Sequence, residues 1–210
     1  MNRKEDKIKL YESLFILYKC QNAMNTIWEK LNQDGKTIKG FNYSDSPLLY
    51  HIILEVASYQ EEYKNFNGKN FDAYADRVNH IRTINKSIIK KINLWDLQSF
   101  RNNIVAHPWR KNGQFVIPDS LEYNIPRNAF EFQLLINYIG YSWKMIESEF
   151  DKEFQAAIEY MLTLEIKPKP KADYNTINDE QLKLVDEVNT KCKDLGKEYF
   201  LKVFLYDFDK

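Results

Sequence analysis

Apolar residues in the first third of this chain recur three, four or seven positions apart, with few residues to interrupt them. Leu10, Leu14, Leu17, Met24, Trp28 and Leu31 form one stripe, and Tyr11, Phe15 and Tyr18 lie beside it. A repeat near 3.6 places such residues on one face of an α-helix, whereas a half-buried strand needs a repeat of two. Only 6 glycines and 6 prolines occur among 210 residues, so the breakers that divide a chain into short strands and turns are scarce. The pattern predicts an all-α fold, a bundle of four to five helices with a C-terminal helical appendage.

The first helix is expected to run to Gly35, a natural stop. Ser46 as N-cap and Pro47 in the first turn open a second, with Leu49, Ile52, Ile53 and Val56 facing the core. A third is expected from about Phe71 to Ile92. A fourth follows Asn93, read as its cap, with Leu94, Leu97 and Ile104 as its apolar ridge. Residues 109–126 read as a loop or short hairpin, and residues 127–164 as a further helix, long or broken. The bundle thus covers residues 1–164. Residues 165–177, with two prolines and several lysines, read as a semi-rigid connector. Residues 178–210 hold a last helix, capped by Asn178 and ended by Gly196, and then an aromatic arm.

With 44% apolar and 15% aromatic residues the chain can fill a core. Thirty basic residues balance thirty acidic ones, so binding to a polyanion must come from a local patch. The abundance of Lys, Asn, Ile and Tyr is a bias associated with AT-rich bacterial genomes. Cys20 and Cys192 stand far apart, without histidines at ligand spacing, so no structural zinc and no needed disulfide is expected. The first residues are charged and amphipathic, with no apolar stretch before a small-residue cleavage site, so a secretory leader is not expected, and no run approaches the ~20 apolar residues that span a bilayer. A cytoplasmic location without membrane contact is the expectation.

One stretch departs from ordinary helix: "SFRNNIVAHPWRK", Ser99 to Lys111, sets Arg101, Asn102, Asn103 and His107 within two turns and then meets Pro108. Cleaving a phosphodiester without metal needs a cation that matches phosphate oxygens, which Arg provides, and a group that moves protons near neutral pH, which His provides. Asn102 and Asn103 can hold phosphate or ribose hydroxyls or orient the imidazole. Six residues of ideal helix advance ~9 Å and turn about 240°, so Arg101 and His107 would not share a face of a straight helix. Pro108 biases His107 away from helical dihedrals and frees the imidazole to turn back toward the arginine. No cluster of Asp or Glu accompanies the motif, so neither metal nor other cofactor is expected.

The run Arg101-Asn102-Asn103-Ile104-Val105-Ala106-His107, followed by Pro108, resembles the R-x4-6-H signature of the HEPN superfamily. The resemblance covers roughly residues 8–164. It implies an antiparallel helical bundle that forms a homodimer, with the motifs of two chains meeting in one cleft. Many members of that superfamily are metal-independent ribonucleases of toxin–antitoxin, phage-defence or RNA-processing systems, and others are catalytically silent. Carried over residue by residue, Arg101 and His107 are implied as catalytic, and Asn102 matches the polar residue that often follows the arginine.

Around the motif, Arg82, Lys86 and Lys90 repeat every four residues, with Arg77 and Lys91 close by. With Asn103, Arg110 and Lys111 they form a candidate RNA-binding set. Trp95 and Trp109 flank it, as base-stacking groups or as core. His51, one turn before Glu55, is expected to be partly buried and paired with it, and His80 to be exposed. Two functions stay open. One is an endoribonuclease with an Arg/His composite site. The other is a silent HEPN-like module that binds a nucleotide, RNA, an antitoxin or another protein. The bland alternative for the motif is that His107 meets the last helix carbonyls and Arg101 makes a surface ion pair.

Overall fold

A computed structural model describes the backbone of residues 3–33, 47–105, 110–111, 114–115, 123–164, 174–197 and 202. Among these the chain is all-helical apart from one two-residue ladder. Helix α1 is Arg3–Gln33, α2 Pro47–Asn65, α3 Ala75–Ile92, α4 Leu97–Phe100, α5 Ala129–Glu149, α6 Asp151–Thr163 and α7 Tyr174–Asp194. Strands β1 (Arg110–Lys111) and β2 (Gln114–Phe115) pair antiparallel, Arg110 opposite Phe115, as a short hairpin. By proximity the chain divides into Met1–Leu164 and Glu165–Lys210. No helix among the described residues is long and apolar enough to cross a membrane.

In the first unit α1 packs on α2, α5 and α6, α3 packs on α5, and α4 packs on α2. The stripe of α1 does what its spacing predicts: Leu10, Leu14, Leu17, Met24 and Trp28 are buried, as are Leu49, Ile52, Ile53 and Val56 of α2. Each such side chain contributes roughly 1.5–3 kcal/mol when taken wholly out of water. Deep among the apolar groups, the Tyr59 hydroxyl donates to Ser142 Oγ at 2.9 Å, and Asn85 Nδ2 donates to the Ser142 carbonyl at 3.0 Å. Tyr59 and Ser142 are fully buried, as is Asn85. Burial pushes the Tyr59 phenol above its ordinary range, against the Ser142 hydrogen bond.

Several boundaries differ from the sequence expectation for local reasons. Helix α3 starts at Ala75 rather than Phe71, because residues 68–74 wind into two 3-10 turns, Gly68–Asn70 and Asp72–Tyr74. Phe71 between them is non-helical (φ −138°, ψ 68°) and plugs the core. Asn93 closes α3 instead of opening α4, and Leu94, expected on an apolar ridge, sits exposed at the corner that follows. The long final helix of the bundle is broken at Phe150, a fully buried residue that ends α5 and begins α6. Arg77 holds this break. Its Nε donates to Glu149 at 2.7 Å, its Nη1 donates to Glu153 at 2.5 Å, and its guanidinium covers the Phe150 ring at 4.4 Å. Burial pushes the Glu153 carboxyl up, but the Arg77 hydrogen bond, a backbone hydrogen bond and the charges of Arg77 and Lys152 together outweigh it and leave the carboxyl below its ordinary value.

Helix α7 begins at Tyr174, so Asn178 lies inside it rather than capping it. Gly196, at φ 65°, lies just past its end in a left-handed conformation that suits glycine. The predicted stop at Gly35, the Ser46 cap and most of the connector and aromatic arm lie outside the described residues.

Candidate functional site

The motif stands on a firmly tied corner. The Asp96 N–H donates to the Asn124 carbonyl at 2.7 Å, the Asn124 N–H donates to Asp96 Oδ2 at 3.0 Å, and Asn124 Nδ2 donates to the Leu94 carbonyl at 2.5 Å. Asp96 also precedes the single turn of α4, its carbonyl accepting from the Phe100 N–H at 2.9 Å, and Phe100 is wholly buried. The Phe100 ring stacks over Tyr50 at 6.4 Å and meets Tyr123 edge-on at 5.6 Å. The residue after this anchor is Arg101, and with it the helix widens into a π-turn, Arg101–Val105. Such i→i+5 turns are rare, and when they occur it is frequently at functional sites.

Arg101 Nη1 donates to Glu61 Oε2 of α2 at 3.1 Å; the arginine side chain is 33% exposed and the carboxylate 62%. Solvent screens an ion pair of this kind to about 0–1 kcal/mol, so a phosphate can replace the carboxylate. This geometry is also that of a plain surface ion pair. Asn102 is exposed and Asn103 half-buried. His107 lies outside the described residues, together with Ala106, Pro108 and Trp109. Arg110 and Lys111 form β1, but their side chains are not among those described.

The basic stripe divides. Arg82 Nη1 donates to the carbonyls of Tyr63 and Phe66 at 2.7 Å each, closing the C-terminal end of α2, and its guanidinium lies 5.1 Å from the Tyr63 ring centre. Lys86 and Lys90, one and two turns on, are exposed. Arg77 is taken up by the α5–α6 break described above. Trp95 is half-buried with its ring tilted on Tyr138 at 6.3 Å, which makes it part of the core margin. His80 is exposed as expected. His51 has the expected neighbour, Nε2 to Glu55 Oε1 at 3.9 Å, but is 57% exposed rather than partly buried, since it faces away from Ile52 and Ile53.

No family model, curated protein or solved structure matches the chain. The site therefore has to be read from its own atoms.

Beside Arg101 lies a polar cleft of about 240 Å³ that the motif does not announce. Gln60 and Lys64 of α2 form one wall; Asn93, Trp95, Asp96, Gln98 and Ser99 form the other. Gln60 Nε2 donates to Asn93 Oδ1 at 2.9 Å and Lys64 Nζ to Gln98 Oε1 at 2.7 Å. The sequence carried one signal for it: Gln60 stands four residues after Val56 and seven after Ile53, a core position occupied by an amide. Glu61, the partner of Arg101, left no signal of that kind.

Other reactive groups among the described residues are quiet. None of them cluster as three or more metal-ligating side chains. Cys20 and Cys192 are free thiols. Burial, with help from Glu55, pushes the Cys20 thiol up to about 12, so it stays protonated and unreactive.

Glu62, next to Glu61, accepts a hydrogen bond from Ser13 Oγ at 2.5 Å. Burial pushes its carboxyl above the ordinary 4.5, against hydrogen bonds from Ser13 and Asn65 and with the charges of Glu61 and Glu12 adding to the rise. A carboxyl with a raised folded pKa weakens the fold once it ionises. The loss is complete above the folded pKa and absent below the unfolded one, where both states are protonated. Glu62→Gln is therefore expected to be more stable than the parent at neutral pH. The gap should narrow as pH falls toward 4.5, read from urea midpoints at each pH.

Proposed function

We propose that this chain is a HEPN-like, metal-independent endoribonuclease of the toxin–antitoxin or phage-defence kind, with an Arg/His composite site at a homodimer cleft. The observation that supports it best is the Arg101 guanidinium, presented partly exposed from a π-turn and held by a single solvent-screened carboxylate among the described residues. In this chemistry the ribose 2′-hydroxyl attacks the adjacent phosphorus and gives up its proton to one His107. Arg101 stabilises the charge that builds on the non-bridging phosphoryl oxygens. The 5′-oxygen leaves as the P–O bond breaks and takes a proton from a second His107, yielding a 2′,3′-cyclic phosphate and a 5′-hydroxyl. One imidazole cannot serve as base and acid in the same step, which is the reason for proposing two chains related by a two-fold axis. Asn102 would orient the reacting groups, and Asn103, Arg110, Lys111, Lys86 and Lys90 would follow the RNA backbone.

The expected result is cleavage of single-stranded RNA that persists in EDTA and leaves cyclic-phosphate ends, resolved by the mobility of end-labelled products. Products with 5′-phosphates formed only when Mg²⁺ is added would end this proposal. A catalytically silent HEPN-like module, binding a nucleotide, RNA or a protein partner, is favoured by a different observation: Arg101 already has Glu61 for a partner, and the chain carries no net charge to hold RNA nonspecifically. RNA binding without cleavage under any condition would select it.

A further inference from the structure

Arg101 already holds an anion, and that anion belongs to its own chain. Its Nη1 donates to Glu61 Oε2 at 3.1 Å, joining one nitrogen of the fork to one oxygen, whereas a phosphate can take two nitrogens side by side. The carboxylate is the outer partner, its side chain 62% exposed against 33% for the arginine, so an anion arriving from solvent meets a like charge there. Glu61 is not what holds the arginine in place. One residue before it, Gln60 Nε2 donates to Asn93 Oδ1 at 2.9 Å, and three residues after it, Lys64 Nζ donates to Gln98 Oε1 at 2.7 Å. Phe100, next to Arg101, is wholly buried between Tyr50 and Tyr123. These contacts tie Asn93, Gln98 and Phe100 to the bundle. The exposed Glu61 side chain can therefore swing to another rotamer and leave the backbone under Arg101 unmoved.

We infer that Glu61 is an autoinhibitory carboxylate: it occupies Arg101 at rest, and an RNA phosphate must displace it before the guanidinium can act. This rests on the RNA-directed function proposed above and adds its regulation. Displacement exchanges one anion for another on the same guanidinium, so a lone phosphate gains little by it. A polynucleotide carries many phosphates and makes up the difference through its other contacts. The exposed pair is weak enough to be broken in this way. Glu61 is thus a brake on weakly held anions, set one helix away from the motif it restrains.

The test measures binding of a fluorescein-labelled 2′-O-methyl RNA oligonucleotide to the full chain by anisotropy at low salt. That probe has no free 2′-hydroxyl to attack phosphorus, so it is bound and not cut. Glu61→Gln keeps the shape at an exposed position and removes the charge. It is expected to bind about three- to fivefold more tightly than the parent, the size of the exposed ion pair it releases. On an Arg101→Gln background the same substitution should change affinity by less than about 1.5-fold, because the gain needs the guanidinium. Should Glu61→Gln fail to fold, Glu61→Ala carries the same expectations. Binding that is unchanged or weaker in Glu61→Gln would overturn the brake and make Glu61 a support for Arg101. A gain that persists without Arg101 would overturn it too, as a general effect of lost negative charge. So would no binding by either protein at about 1 mM. The readout stands apart from cleavage. An Arg101-dependent gain without cutting of ordinary RNA removes only the nuclease, whereas cutting by the parent with no gain in Glu61→Gln removes the brake alone.

Discussion

His107→Ala is expected to lower RNA cleavage by about 10²–10⁴-fold while the melting temperature of the chain changes little. The size follows from what a positioned general acid or base contributes, and in the proposed dimer each substitution removes both proton carriers at once. The small structural effect is expected from the sequence, in which His107 directly precedes Pro108, a residue that does not continue a helix, so its substitution should cost on the order of 1 kcal/mol or less. Arg101→Ala should fall comparably in rate but also weaken RNA binding, since it deletes a phosphate contact. His51→Ala is the control, exposed and paired weakly with Glu55, and should leave cleavage intact. Cleavage by His107→Ala equal to that of the parent would remove the nuclease and leave the binding module.

Phe100→Ala is expected to destabilise the chain by about 3–5 kcal/mol, among the larger effects a single substitution produces. The side chain is wholly buried in a helix of one turn, so little backbone can collapse into the space it leaves. Tyr50 would lose its stacked neighbour and Tyr123 its edge-on contact. The same loss should reach function, because Arg101 is the next residue and its direction is set by that anchor. Urea unfolding should show a lower midpoint at unchanged slope. Phe130→Ala gives the contrast: that ring is 87% exposed, and its removal should change stability by no more than about 0.5 kcal/mol.

The helical class was legible because the apolar repeat of α1 and α2 is long and nearly uninterrupted, from Leu10 to Trp28 and from Leu49 to Val56. The ends were less so, for reasons of tertiary contact. Nothing local distinguishes Asn93 as the close of α3 from Asn93 as the start of the next helix, because an asparagine suits either role. The break at Phe150 has no glycine or proline to mark it; it exists because Arg77, 73 positions earlier, brackets Glu149 and Glu153. The motif was visible because Arg101 and His107 are chemically distinctive in a run of helix formers. The cleft beside it was hidden, since Gln60, Asn93 and Gln98 become neighbours only when α2 meets the α3–α4 corner. Arg82 showed the opposite failing. In sequence it belongs to a basic stripe read as a candidate RNA contact, and in space its guanidinium closes α2.

The hydrogen bonds around Ser142 have a consequence for which packing the chain adopts. Apolar ridges tolerate slippage: a helix moved by one turn, about 5.4 Å along its neighbour, brings leucine against isoleucine again. Tyr59, Asn85 and Ser142 do not tolerate it, because each would be stranded out of water at about 1–3 kcal/mol. They come from α2, α3 and α5, so one mismatch penalises three helices together. The leucines and phenylalanines supply the force that gathers the chain, and this small knot acts as the vernier that sets the axial offset at which it stops.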